Sequence, residues 1–390
     1  MAETRNASIN VPQVDIPLGE HTCTLSIIDT TCVLTVPADG LVEPPIRGHE
    51  LMNFPTFSFL ISNSSSGKRI LFDLGCRKDF WNLPQPIAEV INAKVPGIRV
   101  DKNLSDVLTE GGVDTHSIDA AIISHHHYDH FGDPSTFPCT MELLTGPGFA
   151  NAFMPGFPTN QASPGFESDL VGRSVRELVF SDQLVVAGYC AVDYFEDGSL
   201  YILDTPGHAV GHVSALVRTT SNTFVFLGGD ICHFGGAFRP TPYVPMPESL
   251  TPYDVGHQKR HNQPYPHTTF TSCHPDRKNA RVAPYYTPCC RADGWYVDPP
   301  RALESIEQLK ILDADDRILI LIAHDPAMLD AVTFFPHGNA NDWQNMDWKS
   351  TLRWRFLDEL PSDVREPEYL VDGTYMEGKR VRTLEGNKVE

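Results

Sequence analysis

The chain has 390 residues, 41% of them hydrophobic and 21% charged, enough for one large or two modest domains with a substantial core. Lys and Arg number 30 against 50 for Asp and Glu, a formal charge of -20, which argues against general affinity for nucleic acid or anionic membranes. Nine cysteines without framework spacing read as reduced thiols; with no apolar leader in Met1-Ala2-Glu3-Thr4-Arg5-Asn6 and no apolar run of membrane-spanning length, a cytoplasmic, unprocessed protein is expected.

In chain order, Cys23 to Val36 is rich in β-branched residues and predicts two short strands around Asp29-Thr30-Thr31. A Pro/Gly-rich crossing runs to about Pro55. Phe57 to Ile61 and Arg69 to Leu74 then predict a hairpin around a polar Ser/Asn/Gly turn, which delivers Asp73 at a strand end. The irregular stretch from Arg77 to Asp101 carries Phe80 and Trp81 and suits a mobile aromatic loop or a short helix. Asn103 can cap a helix whose Leu104, Val107 and Leu108 share a face and which stops at Gly111-Gly112. The strand Ile118 to Ile123 leads into Ser124-His125-His126-His127-Tyr128-Asp129-His130-Phe131.

This motif packs His125, His127, Asp129 and His130 into six residues. Alternate residues at a strand end face one side, so His125 and His127 point one way while Asp129 and His130 swing to a second point. Two metals a few ångströms apart are the natural reading, and His126 should face away from them. A solvated His-rich loop is the plain alternative, but imidazole plus carboxylate at this spacing suits zinc, and further ligands lie downstream.

After a Pro/Gly-rich loop from Pro134 to Pro164, strands resume at Cys190 to Tyr194 and Leu200 to Leu203, running into Asp204-Thr205-Pro206-Gly207-His208. A second hairpin, Val213 to Arg218 and Phe224 to Leu227, ends at Gly228-Gly229-Asp230 and echoes the first, suggesting two β-rich halves with helices outside. Phe234 to Pro300 is unusually Pro-rich and reads as an insertion or cap. Its Cys273-His274 and Cys289-Cys290 are zinc-ligand types, though no CxxC pair is present. A helix from Arg301 precedes the buried strand Arg317 to Ala323, which ends at His324. The amphipathic Trp343 to Leu360 should pack on the outside. His125, His127 and His208 would hold one metal and Asp129, His130 and His324 the other, with Asp230 bridging. The set suits two Zn²⁺, and iron, manganese or cobalt also accept such ligands.

With these motifs in this order (HxHxDH, Thr205-Pro206-Gly207-His208, Gly229-Asp230 and Ala323-His324-Asp325) the chain resembles the metallo-β-lactamase superfamily over roughly residues 25 to 335. The resemblance implies an α+β fold, the αββα sandwich, as a single domain over 1–390 with 234–300 as a Pro-rich cap, and a dinuclear site between the halves. The ligand set matches the lactonase, glyoxalase II and thioesterase branches. True β-lactamases lack the ligand at His130 and usually carry a cysteine near where Asp230 falls. The layout is most similar to quorum-quenching lactonases and filamentous-fungal relatives that include benzoxazolinone-opening enzymes. His233 stands where the bacterial lactonases carry a tyrosine three residues after the bridging Asp, and would donate to the substrate carbonyl or leaving group, or support the site from behind. Tyr128 and Phe131 would wall the pocket, with Phe80 and Trp81 on an aromatic loop nearby.

The expected chemistry is hydrolysis of a small lactone, γ-lactam or cyclic carbamate. A water shared by two metals is ionised at neutral pH and attacks the carbonyl, one metal takes up oxyanion charge, and Asp129 orients the hydroxide; no Ser or Cys nucleophile is needed. The alternative is an acyl-thioesterase on the same fold, and a third class is a redox or non-catalytic metal protein. The expected partner is a small-molecule substrate; oligomeric state is not legible in the sequence.

Overall fold

Strand alternation decides which side chains meet. Phe57, Phe59 and Ile61 share one face of a strand, as do Ile70 and Phe72, and Ala120 and Ile122, of its neighbours; they pack against Leu200, Ile202, Val213, Ala215, Val225 and Leu227 of a second sheet. The intervening Leu60, Leu71 and Ala121 point to the other side and bury against Leu104, Leu108, Phe149 and Phe153 of outer helices. In the second sheet Tyr201, Leu203, Leu216 and Phe226 likewise turn outward onto Ile306, Leu309 and Leu312. Two β-sheets packed face to face with helices on both outsides are the result. The computed structural model describes residues 10–257, 262–362 and 368–389; Met1 to Asn6, read above for a leader, and residues 258–261 of the Pro-rich segment lie outside these.

Among the described residues the first sheet has nine strands, in the order Lys379–Thr383, Gly373–Met376, Gly97–Val100, Cys23–Pro37, Leu51–Asn63, Arg69–Phe72, Ala120–Ile122, Glu142–Thr145 and Val175–Glu177. The second runs Ile318–Leu321, Phe224–Leu227, Val213–Arg218, Leu200–Asp204, Tyr189–Asp193 and Val185–Val186. Phe224–Leu227 and Ile318–Leu321 pair parallel, so a crossover is required, and the helix Pro299–Ala314 supplies it. No helix of the described residues is long and apolar enough to cross a membrane.

Several local expectations are corrected. Cys23 to Val36 is one bent strand, Cys23–Pro37, rather than two. The Asp29 carboxylate accepts from the Thr31 amide at 2.8 Å, Thr31 takes a positive φ, and the pairing register slips between Asp29 and Val33. The polar triplet therefore makes a bulge instead of a turn. Pro55, read as the end of a crossing, lies inside Leu51–Asn63, opposite Val33 where the ladder is already irregular, so its missing N–H is tolerated. Of the two readings of the stretch after Arg77 the short helix is present, Gln85–Lys94, with a proline in its first turn where no amide is needed, and the strand Gly97–Val100, which neither reading included, follows it. The loop Pro134 to Pro164 contains the strand Glu142–Thr145 and the helix Phe149–Phe153.

The Pro-rich segment forms short two-stranded pairs, Ser249–Leu250 with Tyr265–Pro266 and Thr287–Pro288 with Val42–Glu43. Its Phe234, Phe238, Met246, Leu250, Phe270 and Tyr285 are buried in one cluster with Leu34, Met52 and Phe54 of the first sheet. The Trp343 to Leu360 piece is not on the outside: Trp343, Trp348 and Leu352 are buried in the cluster between the sheets. Trp343→Ala should therefore cost about 3–5 kcal/mol, the range for truncating a buried aromatic, whereas a surface-packed residue would cost little. The shift in urea unfolding midpoint at unchanged m-value measures it.

Candidate metal centre

Each candidate ligand leaves a strand at its carboxyl end. Ala120–Ile122 runs into His125 and His127, and the helical turn Tyr128–Phe131 brings Asp129 and His130 to the same place. Leu200–Asp204 runs into His208, Phe224–Leu227 into Asp230, and Ile318–Leu321 into His324. The turn at Gly207 is shaped by helix packing: its φ is +131°, and a Cβ there would come within 2.1 Å of the Ala302 amide nitrogen in the helix Pro299–Ala314. Only glycine lets that helix seat against the ligand turn.

The seven side chains form two groups, His125, His127, His208 and Asp230, and Asp129, His130 and His324; within each, one donor atom per residue lies within 4.8 Å of every other. Asp230 joins them. Its Oδ2 is 3.6 Å from His125 Nε2 and 3.4 Å from His208 Nε2, while Oδ1 is 3.2 Å from both His130 Nε2 and His324 Nε2. Asp129 Oδ2 lies 3.5 Å from His324 Nε2. Imidazole nitrogens also face one another, His127 Nδ1 with His208 Nε2 at 3.0 Å and His130 Nε2 with His324 Nε2 at 3.3 Å. His125 Nε2 is buried without a hydrogen-bond partner. Lone pairs converging from several rings on a buried carboxylate fit a divalent cation at each group.

The rings are aimed from behind. Asp73 accepts from the Ser124 amide at 2.6 Å and hydroxyl at 2.8 Å, and from His130 Nδ1 at 2.8 Å, so His130 presents Nε2 to the cluster. Having donated to Asp73, the Ser124 hydroxyl can accept from His125 Nδ1, 3.0 Å away. His324 Nδ1 donates to the Pro55 carbonyl at 3.1 Å, and Phe54 stacks on its ring at 4.5 Å. His212, which the sequence reading did not single out, donates from Nδ1 to the Thr205 carbonyl at 2.8 Å and accepts the Asp230 amide on Nε2 at 3.0 Å. Its only sequence signal is its place four residues after His208 at the head of a buried strand.

Burial, then neighbouring histidines, holds His125 and His208 well below the ordinary histidine range; burial and His126 do the same for His127. All three are thus neutral, as ligands must be. His130 behaves oppositely: burial opposes its charge, but Asp230, Asp73 and Asp129 outweigh it and hold the ring well above its usual value. Positive charge is wanted at that point. Burial works against the Asp230 carboxylate too, yet the His130 ring beside it keeps it ionised far below its normal range.

His126 does face away, stacked on Phe153 at 4.1 Å. His233 is at the cluster, with Nε2 3.1 Å from Asp230 Oδ2. The four expected pocket walls are placed differently from one another. Phe131 turns to the opposite side of its helical turn, stacks on Phe149 and is buried under the outer helices. Tyr128 and Phe80 are buried in the large cluster with Cys32 and Cys76. Trp81 lines a cavity of about 720 Å³ with Arg77, Asp79 and Asp133, and none of the seven ligands borders it. Besides Phe54 on His324, aromatic rings meet the ligands at Trp295, 5.4 Å from the His127 ring, and Tyr296, 5.1 Å from His208. Both come from the end of the Pro-rich segment, whose lack of periodicity hid them. A cavity of about 470 Å³, lined by Leu51, Asn53, Phe234, Arg355 and Glu359, reaches the centre through His324. Among the described residues Cys273-His274 and Cys289-Cys290 form no metal-ligand group; His274 binds the Ala283 carbonyl and Cys289 the Asp39 carbonyl.

The model of the metallo-beta-lactamase superfamily matches residues 51–134. Gamma-lactamase FDB1 of Fusarium pseudograminearum is 39% identical over 358 residues, covering 90% of this chain and 85% of that protein. Metallo-hydrolase mfmC of Annulohypoxylon moriforme is 37% identical over 356 residues and 90% of each. Among solved structures, a B. thuringiensis AiiA mutant with N-decanoyl-L-homoserine bound at its active site shares the fold at a TM-score of 0.52 and 17% identity, over 82% of this chain and 99% of that one.

His208→Ala should lose bound metal, since it removes one of three imidazoles from its group; elemental analysis showing full loading would contradict the assignment. Acid should also loosen the metal-free fold. Burial depresses His126 and His212 to about 4, so between pH 6.5 and 4 the unfolded chain takes up protons that the folded chain refuses. Stability present above pH 6.5 is lost as pH falls, by about 1.4 kcal/mol per pH unit for each ring. Urea titrations of apo-protein at stepped pH measure the slope.

Proposed function

The chain belongs to the metallo-beta-lactamase superfamily and is a metal-dependent hydrolase, and from that premise we propose that it holds two Zn²⁺ ions and opens a small cyclic ester or amide: a lactone, γ-lactam or cyclic carbamate. The observation that carries the proposal is the Asp230 carboxylate, which turns one oxygen to each histidine group. His125, His127 and His208 would hold one ion and Asp129, His130 and His324 the other. Nitrogen-rich donors with two carboxylates favour zinc over the harder divalent ions. The similarity to a protein named gamma-lactamase supports cyclic amides over thioesters as substrates.

When bound, the ions would supply a water ionised near neutral pH and charge stabilisation for a developing oxyanion. The chain's own residues do the rest. Asp230 spans the two groups and fixes their separation. Asp129 would orient the attacking water or shuttle its proton. His233, whose Nε2 rests 3.1 Å from Asp230 Oδ2, would turn that donor to the carbonyl or to the departing heteroatom. The centre meets open space at His127, half-buried beside Trp295, and at His324, on the wall of the 470 Å³ cavity. We assign residues 234–300 the part of a cap within a single domain, because they contribute Trp295 and Tyr296 to the surroundings of the ligands.

A panel of lactones, γ-lactams, cyclic carbamates and acyl thioesters, assayed beside metal analysis, tests the reading. We expect about two zinc ions per chain and ring opening of a cyclic substrate. Thioester turnover with inert cyclic substrates, or full activity with a single ion, would overturn it. His233→Ala should lower kcat roughly ten- to a thousandfold with both ions retained, while His126→Ala should remain close to the parent enzyme.

A further inference from the structure

His233 is held from two sides. Nε2 lies 3.1 Å from Asp230 Oδ2 and Nδ1 lies 3.0 Å from the Tyr296 hydroxyl. Phe54 stacks on the ring face at 5.8 Å and 4°, and Tyr296 meets it edge-on at 89°. Both side chains are buried. A carboxylate can only accept, so the proton of a neutral imidazole belongs on Nε2, and Nδ1 then needs a donor. The Tyr296 hydroxyl, 3.0 Å away, is a group that can give that hydrogen.

We propose that Tyr296 is a positioning residue that selects the Nε2–H tautomer of His233 and keeps that donor aimed into the metal centre. The phenol is itself fixed, because the backbone just beyond it is tied to the ligand turn: the Val297 amide donates to the His208 carbonyl at 3.0 Å and the Asp298 amide to the Gly207 carbonyl at 2.9 Å. One short stretch thus sets the position of His208 and the proton on His233 together. The inference rests on the reading of His233 as a donor to the substrate, and it adds the residue that makes that donor available.

Nitrogen-15 NMR of the imidazoles in zinc-loaded protein, combined with kinetics on the substrate found in the panel, tests it. Wild-type His233 should give a single Nε2–H tautomer. In Tyr296→Phe, which preserves the ring packing, the His233 resonances should move toward a mixture of tautomers, with zinc content unchanged. The same variant should lower kcat by roughly 10- to 100-fold, the range for removing an outer hydrogen-bond partner, with little change in KM. In a His233→Ala background it should cost nothing further, because Tyr296 acts through His233. Unaltered His233 resonances in Tyr296→Phe, or equal losses of kcat with and without His233, would overturn the inference. A tautomer shift in a protein that opens no cyclic substrate would refute the proposed reaction and leave the positioning role standing.

Discussion

A carboxylate that is 3% exposed, with histidine nitrogens on every side, is the constraint on which this structure turns. Asp230 lies within 3.6 Å of ring nitrogens of His125, His130, His208, His233 and His324. A buried charge must be compensated or neutralised, and here its partners come from both sheets. Convergence requires that four strands end at one edge of the sandwich, and that the turns leaving them be tight. Gly207 under Ala302 is one such turn. The Asp230 amide, held by His212, is another restraint on the same carboxylate.

Much of this was legible in the sequence because it is local. His125, His127, Asp129 and His130 sit within one strand end and one helical turn, so their directions follow from backbone period alone. His208, Asp230 and His324 could be placed because each terminates an apolar strand. Phe131 was misjudged for the same kind of reason in reverse: two residues beyond Asp129 in a helical turn is nearly the opposite face, and the structure buries it on Phe149. Reading the motif as strand throughout would put it on the wrong side.

What was not legible depends on contacts between distant residues. Tyr296 reaches His233 across 63 positions from a segment with neither helical nor strand periodicity, so no pattern marks it. Trp343 lies in an amphipathic stretch whose apolar face could as well have lain on an outer surface; its burial between the sheets is a tertiary fact. Thr31 shows a subtler limit, since the Asx contact that usually makes a turn here only bends a continuous strand.

The chain's last hairpin bears on a different matter, how this molecule behaves toward copies of itself. Gly373–Met376 lies against Gly97–Val100, and the outermost strand of the first sheet is Lys379-Arg380-Val381-Arg382-Thr383. An uncovered strand flank offers unpaired amides and carbonyls to any other chain, but here the chain folds back on it: the Val389 amide donates to the Val381 carbonyl at 3.1 Å and the Thr383 amide to the Asn387 carbonyl at 2.9 Å. Both arginines of that strand are engaged within the chain: Arg380 pairs with Asp372, and Arg382 donates to the Asn92 and Val95 carbonyls. The hairpin therefore widens the sheet, and the residues just after it occupy part of the flank on which a second copy would have to pair.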